Sequence, residues 1–249
     1  MILGSVSDRI IQGRWIMKKT LKIVVPIVLA LAFVGLVWLN CFLFVRAQNK
    51  QKQEEWAALV KAYYDMKVAA FGQENQTLLG VDVAFLGDSL TDGYDVKAYY
   101  PDLNVVNRGI GADTTFGLEA RLGVSAYDVQ PKVIVMLIGA NNLYTMFDNY
   151  EQIVRSLRTN LPETKIVLLS LSPLGANFAD RNDTVKSNNL EIQFVAARND
   201  CTYVDIHSVL LNPETGQMYD EYTTEGLHFS AKGYEVITAT LRPVLNSLL

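Results

Sequence analysis

The sequence predicts an α/β protein: a three-layer α/β/α domain around a five-stranded parallel sheet, preceded by one transmembrane helix. Three observations lead there. Five short apolar runs, at residues 81–86, 103–106, 133–138, 166–169 and 202–206, show little polar alternation, as strands covered on both faces do. Helical patterns lie between them, among them 149–161 and 184–198, with a last one at 231–248, and such alternation implies parallel β-α units. Residues 23–45 are apolar and uncharged, with Asn40 the lone polar side chain apart from Cys41. At about 1.5 Å per residue that segment reaches the ~30 Å of a bilayer core.

The organisation along the chain follows from local signals. Residues 1–22 read as a short cytoplasmic tail, with Arg9, Arg14, Lys18, Lys19 and Lys22 against the single acid Asp8, and Met17-Lys18-Lys19 reads as an alternative start. Positive charge before the apolar segment places that end in the cytoplasm and everything after Arg46 outside. The chain is thus expected to be a single-pass protein of the cell membrane. A signal peptide cleaved near Ala47 would give a secreted form instead, but the apolar core of a signal peptide is typically ~7–15 residues, shorter than 23–45. Residues 46–79 follow as an amphipathic stalk and linker. Trp56, Leu59, Val60, Tyr63 and Val68 recur at helical spacing, a stripe expected to pack on the domain. Residues 80–249 form that domain.

Charge and cysteines narrow the function. The net charge is −4, but beyond Ala47 the chain holds 16 basic against 25 acidic residues. So acidic a domain offers nucleic acid no footprint, and no such partner is expected. Cys41 and Cys201 cannot staple the domain, which must stand on its own core.

Chemistry concentrates just after the strands, where ligands of such sheets bind. Ser89 follows the first run in Gly87-Asp88-Ser89-Leu90-Thr91-Asp92-Gly93. A serine needs an adjacent base to become a nucleophile, and Asp88-Ser89 taken alone suits a helix cap equally well. The chain has only two histidines. His207 follows the fifth run and reads as a surface or capping residue. His228 has Glu225 three positions earlier, close enough on a tight turn for the carboxylate to hold one ring nitrogen and leave the other as acceptor. Gly109 lies on a glycine-rich turn after the second run, with a backbone N–H available for an oxyanion. Asn141, after the third, offers a side-chain amide.

The order of these blocks resembles the GDSL/SGNH family of esterases and lipases, over roughly residues 81–234. Gly87-Asp88-Ser89-Leu90 matches the first block, Gly109 the second, Gly139 and Asn141 the third, and Glu225-Gly226-Leu227-His228 the fourth, where the family usually carries Asp-x-x-His. The resemblance implies a flavodoxin-like sheet. It also implies a triad of Ser89, His228 and Glu225, and an oxyanion hole from Ser89, Gly109 and Asn141. Asp88, Asn142, Tyr144 and Phe229 are expected to meet substrate. Gly109-Ile110-Gly111-Ala112-Asp113-Thr114-Thr115, with Asn141-Asn142 later, is similar to the subgroup of platelet-activating-factor acetylhydrolase catalytic subunits and several carbohydrate esterases, which implies a small acyl group, acetyl by preference. Asp220 is a remote alternative to Glu225. The expected activity is serine esterase on small esters or acylated glycans, with no metal or other cofactor. An acyltransferase on envelope glycans and a non-catalytic membrane-anchored sensor or scaffold are the alternatives.

Overall fold

The computed structural model describes the chain from Val6, with side chains from Arg9. The first five residues of the expected tail lie outside the described residues. Val6–Asn75 is helical throughout, α1, and the chain divides into two compact units, up to Leu59 and from Val60. In the first unit every side chain of the apolar segment is exposed, Phe33 at 67% and Trp38 at 74% among them. By length and composition this is a helix able to cross a membrane.

The second unit is built on β1 (Val83–Gly87), β2 (Val105–Gly109), β3 (Val133–Leu137), β4 (Lys165–Leu169) and β5 (Thr202–Val204). The strands are parallel, in the order β2-β1-β3-β4-β5. Val83 is level with Val105 and Val133, and Gly87 with Gly109 and Leu137, so the carboxyl ends of three strands share one edge. The chain runs outward from β1 to β2 and then crosses back to β3. That reversal opens a crevice beyond the strand ends, the usual ligand position in such sheets. All residues of β1 and β3 are buried, as coverage on both faces requires.

The remaining helices are α2 (Ser89–Asp92), α3 (Val96–Tyr99), α4 (Thr115–Ala120), α5 (Tyr150–Asn160), α6 (Asn182–Arg198), α7 (His207–Leu210) and α8 (Ala231–Leu248). In α5 the buried Tyr150, Ile153, Val154 and Leu157 form one stripe at helical spacing. In α8 Tyr234, Ile237, Leu241 and Leu245 do the same, below a Ser230 cap that accepts from the Gly233 N–H. A short antiparallel pair, β6 (Leu211–Asn212) and β7 (Gln217–Met218), adds to the five expected strands; two residues per strand are too few to show a period.

Two elements differ from expectation for physical reasons. β2 continues past the expected run through the polar Asn107 and Arg108, the latter with its side chain fully buried. Its guanidinium donates to Glu74 Oε2 at 2.5 Å and Asn75 Oδ1 at 2.8 Å, in the last turn of α1, and lies 4.7 Å from the centre of the Phe71 ring. A buried charge so paired is tolerated where an unpaired one is not. The packing stripe of the stalk also begins later than expected. Trp56 and Leu59 are exposed, whereas Val60, Tyr64, Lys67 and Val68 are partly buried and Phe71 is buried. The second compact unit therefore starts at Val60, inside the segment expected as a stalk.

Candidate active site

Ser89 is the first residue of α2, directly beyond β1. The turn is capped by Asp88, whose Oδ1 accepts from the Leu90 N–H at 3.0 Å. Asp88 is fully buried, so it serves the turn and does not reach a substrate as expected. Burial pushes its carboxyl up to about 7, against hydrogen bonding to the Leu90 N–H and the lesser pull of the nearby Gly139 and Ala140 amides.

His228 sits on the loop before α8, and its Nε2 lies 3.0 Å from Ser89 Oγ. Its Nδ1 lies 2.5 Å from Glu225 Oε1, and the same oxygen accepts the His228 backbone N–H at 3.0 Å. The longer glutamate thus meets the ring. Burial disfavours its charge, but hydrogen bonds from Thr224 and His228 outweigh that and hold the carboxyl below its ordinary value. The turn is tied down locally. Thr223 Oγ1 donates to His228 O at 2.8 Å and accepts the Gly226 N–H at 2.8 Å. Gly226 has φ +99°, and its carbonyl accepts the Gly175 N–H at 2.7 Å from the loop after β4. A side chain at Gly226 would be strained there. Asp220 lies in an exposed turn and has no bond to His228. His207 is half-buried in α7, its pKa lowered chiefly by burial, with no bond to Ser89.

The expected oxyanion donors divide. Asn141 is exposed, with one amide hydrogen donated to Asp113 O at 2.8 Å; an amide nitrogen carries two, so the second is free. The Ser89 N–H, at the start of a helix, meets no acceptor among the described residues. Gly109 departs from expectation. Its N–H donates to Asn107 Oδ1 at 2.7 Å, and a Cβ there would come within 2.1 Å of the Asp92 nitrogen. It is a glycine because α2 presses on β2, and its amide is already engaged. Further along the same turn, Ile110, Gly111 and Asp113 donate to Gly87 O, Asp92 Oδ2 and Ile110 O. The Ala112 N–H meets no acceptor among the described residues, and Ala112 stands at φ +61°. A non-glycine residue there is uncommon and marks a turn imposed by its surroundings. Asn142 is engaged with Thr115, accepting its N–H at 3.3 Å and donating to its Oγ1 at 2.9 Å, and its second amide hydrogen stays available. One more substrate-facing expectation is corrected. Phe229 is buried, edge-on to Tyr234 at 5.3 Å, and belongs to the core. Tyr144 remains free, 78% exposed.

One functional residue escaped the sequence. Buried Arg121 pairs with Asp113 Oδ2 at 2.8 Å and donates to Gly87 O, Arg108 O and Ser125 Oγ at 2.8–2.9 Å. It braces the end of β1 against the second-block turn. Its partners lie up to 34 residues away, and no local pattern announces them. Beside the site is a cavity of about 130 Å³, with walls of Leu143, Leu171, Leu174 and Val185, that also touches Asn141 and Leu227.

A serine with its base and carboxylate in a chain, at the crevice of a parallel α/β sheet, defines an enzyme of the serine hydrolase class. Within that class the chain belongs to the GDSL-like Lipase/Acylhydrolase family, which it matches over residues 85–236. Among curated relatives it is similar to the platelet-activating factor acetylhydrolase IB subunit alpha2 of Rattus norvegicus, 29% identical over 178 residues, covering 68% of this chain and 77% of the relative. A Streptococcus pneumonia protein solved as a candidate platelet activating factor is 26% identical with a TM-score of 0.72, covering 80% of this chain and 99% of that one. An acetyl xylan esterase variant from Geobacillus stearothermophilus shares the fold at 22% identity, TM-score 0.55, covering 67% and 96%.

Proposed function

We propose that the chain is a membrane-anchored, extracytoplasmic serine esterase of short acyl esters. Ser89 attacks the ester carbonyl as His228 Nε2 takes its proton, and Glu225 holds the ring in the tautomer that leaves Nε2 as acceptor. The tetrahedral oxyanion rests on the Ser89 N–H and the free Asn141 amide hydrogen, with the Ala112 N–H in the place first assigned to Gly109. His228 then passes its proton to the leaving alcohol, and the same base activates the water that releases the acyl group from Ser89. The observation that carries this reading is the unbroken chain from Ser89 Oγ through His228 to Glu225, at 3.0 and 2.5 Å.

The cavity supports the substrate class. Its ~130 Å³, between Leu143, Leu171, Leu174 and Val185 on the apolar side and Asn141, Ser172 and Arg181 on the polar side, has room for an acyl group of a few carbons. Acetyl, the group named in the acetylhydrolase and acetyl xylan esterase relatives, fits within it. An acylated glycan of the cell envelope suits a domain held outside the membrane, and exposed Tyr144 offers a sugar a stacking face. The anchor is the apolar segment 23–45, oriented by the basic residues before it.

The test is hydrolysis of a short-chain nitrophenyl ester by the full chain in detergent, against Ser89→Ala. Turnover that vanishes with the serine is expected; equal rates would sink the reading.

A further inference from the structure

The last turns of α1 reach the active site through one carboxylate. Asp92 closes α2, the short helix that Ser89 begins. Its Oδ2 accepts the Gly111 N–H at 3.0 Å and the Tyr63 hydroxyl at 2.7 Å; its Oδ1 accepts from Lys67 Nζ at 2.8 Å. Tyr63 and Lys67 are four residues apart, on one face of α1. The Lys67–Asp92 pair is mostly shielded from water, which strengthens it relative to a surface pair. One turn further on, Phe71 is buried with Lys67, Arg108 and Arg121 at 5.3, 4.7 and 6.0 Å from its ring centre, fixing this part of the helix to the domain. Burial, with the Asp92 hydrogen bond and charge, pushes the Tyr63 hydroxyl up to about 12, so it stays a donor at any working pH.

What Asp92 holds is the peptide that leads into Ala112. Alanine at φ +61° pays a steric penalty that glycine does not, and such a conformation persists only where its surroundings impose it. The Gly111 bond to Asp92 is one restraint, and the Asp113 bonds to Ile110 O and Arg121 are the others. We infer that Asp92 is a positioning residue of the active site, clamped by Tyr63 and Lys67 of α1 and aiming the Ala112 amide at the oxyanion. The inference rests on the esterase reading. It makes residues 60–75 part of the catalytic apparatus.

The experiment is steady-state hydrolysis of a short-chain nitrophenyl ester by the full chain carrying Tyr63→Phe, Lys67→Met or Asp92→Asn. Each is made alone and in an Ala112→Gly background, with thermal unfolding followed alongside. A donor moved by about 1 Å can cost ~10²-fold, and a loosened one less. We expect kcat to fall about tenfold with KM within about twofold, in proteins still folded at the assay temperature. The loss should shrink in the Ala112→Gly background, where glycine holds the turn without the clamp. Loss of thermal stability with kcat unchanged, or the same factor in both backgrounds, would show a merely structural role and overturn the inference. Tyr63→Phe removes only a hydroxyl, so it reports even where Asp92→Asn fails to fold. A wild-type chain that hydrolyses no ester takes down the esterase reading and this inference together. An active wild type matched by an equally active Tyr63→Phe, Lys67→Met and Asp92→Asn takes down this one alone.

Discussion

Glu225 stands where the family usually has aspartate, and the geometry here makes the shorter acid the worse one. Oε1 of Glu225 sits 2.5 Å from His228 Nδ1 on a turn tied by both sides of Thr223 and by the Gly226–Gly175 crossing. Removing one methylene withdraws the carboxylate by about one carbon–carbon bond, ~1.5 Å. The contact would stretch to about 4 Å, beyond hydrogen-bond range, unless that turn gives way. Glu225→Gln keeps the length and loses the charge. In a buried serine protease triad the corresponding amide costs ~10⁴-fold in kcat. Here the Glu225 and His228 side chains are 44% and 45% exposed, and water screens part of the lost charge. We therefore expect about 10²–10³-fold for Gln, roughly 3–4 kcal/mol of transition-state stabilisation, and about tenfold or more for Asp. The assay is kcat on a short-chain nitrophenyl ester at pH 8, with the unfolding temperature as a control for the turn. Glu225→Asp at wild-type rates, or Gln within threefold, would refute the argument that this carboxylate orients the base from this turn.

Two further outcomes are expected. Each methylene buried in the cavity contributes ~0.8 kcal/mol, about fourfold, so kcat/KM should rise from acetyl to butanoyl esters and collapse for chains of ten or more carbons. Leu174→Trp, which fills the cavity, should return the optimum to acetyl, and a profile indifferent to that change would remove the cavity from the acyl site. Asp88 gives a pH signature in stability. Its folded pKa, about 7, lies above the ordinary 3.8, so between those values the folded chain keeps a proton that the unfolded chain has lost. Stability from this group therefore falls as pH rises through that window, by at most ~1.4 kcal/mol per unit, and levels off above it. His207, whose pKa is lowered, acts in the opposite sense near its ordinary value. The measurement is the urea midpoint of wild type against Asp88→Asn from pH 4.5 to 8, and a gap that does not widen in favour of the variant would contradict a buried acid at Asp88.

What was legible in the sequence was what chemistry and period make local. The five sheet strands announce themselves through short apolar runs buried on both faces, α5, α6 and α8 through stripes that touch one face, and the proposed triad through residue types that ester hydrolysis would require. Illegible features depend on partners far away in the chain. Arg108 and Arg121 look like breaks in apolar patterns, yet both are interior because Glu74, Asn75, Asp113 and three backbone or hydroxyl oxygens are brought to them by the fold. The oxyanion turn shows the same limit on a smaller scale. Glycine is ambiguous in a sequence, since it answers both a need for left-handed backbone and a need for close approach. Gly109 answers the second, pressed against Asp92, while the left-handed position falls to Ala112. An alanine holding that conformation needs support from elsewhere, and in this chain part of the support comes from Tyr63 and Lys67 of α1 by way of Asp92. The last turns of the segment that sequence periodicity presents as a stalk are on this account a brace of the oxyanion turn, and Val60 is the latest point from which a truncated domain can be expected to keep that brace.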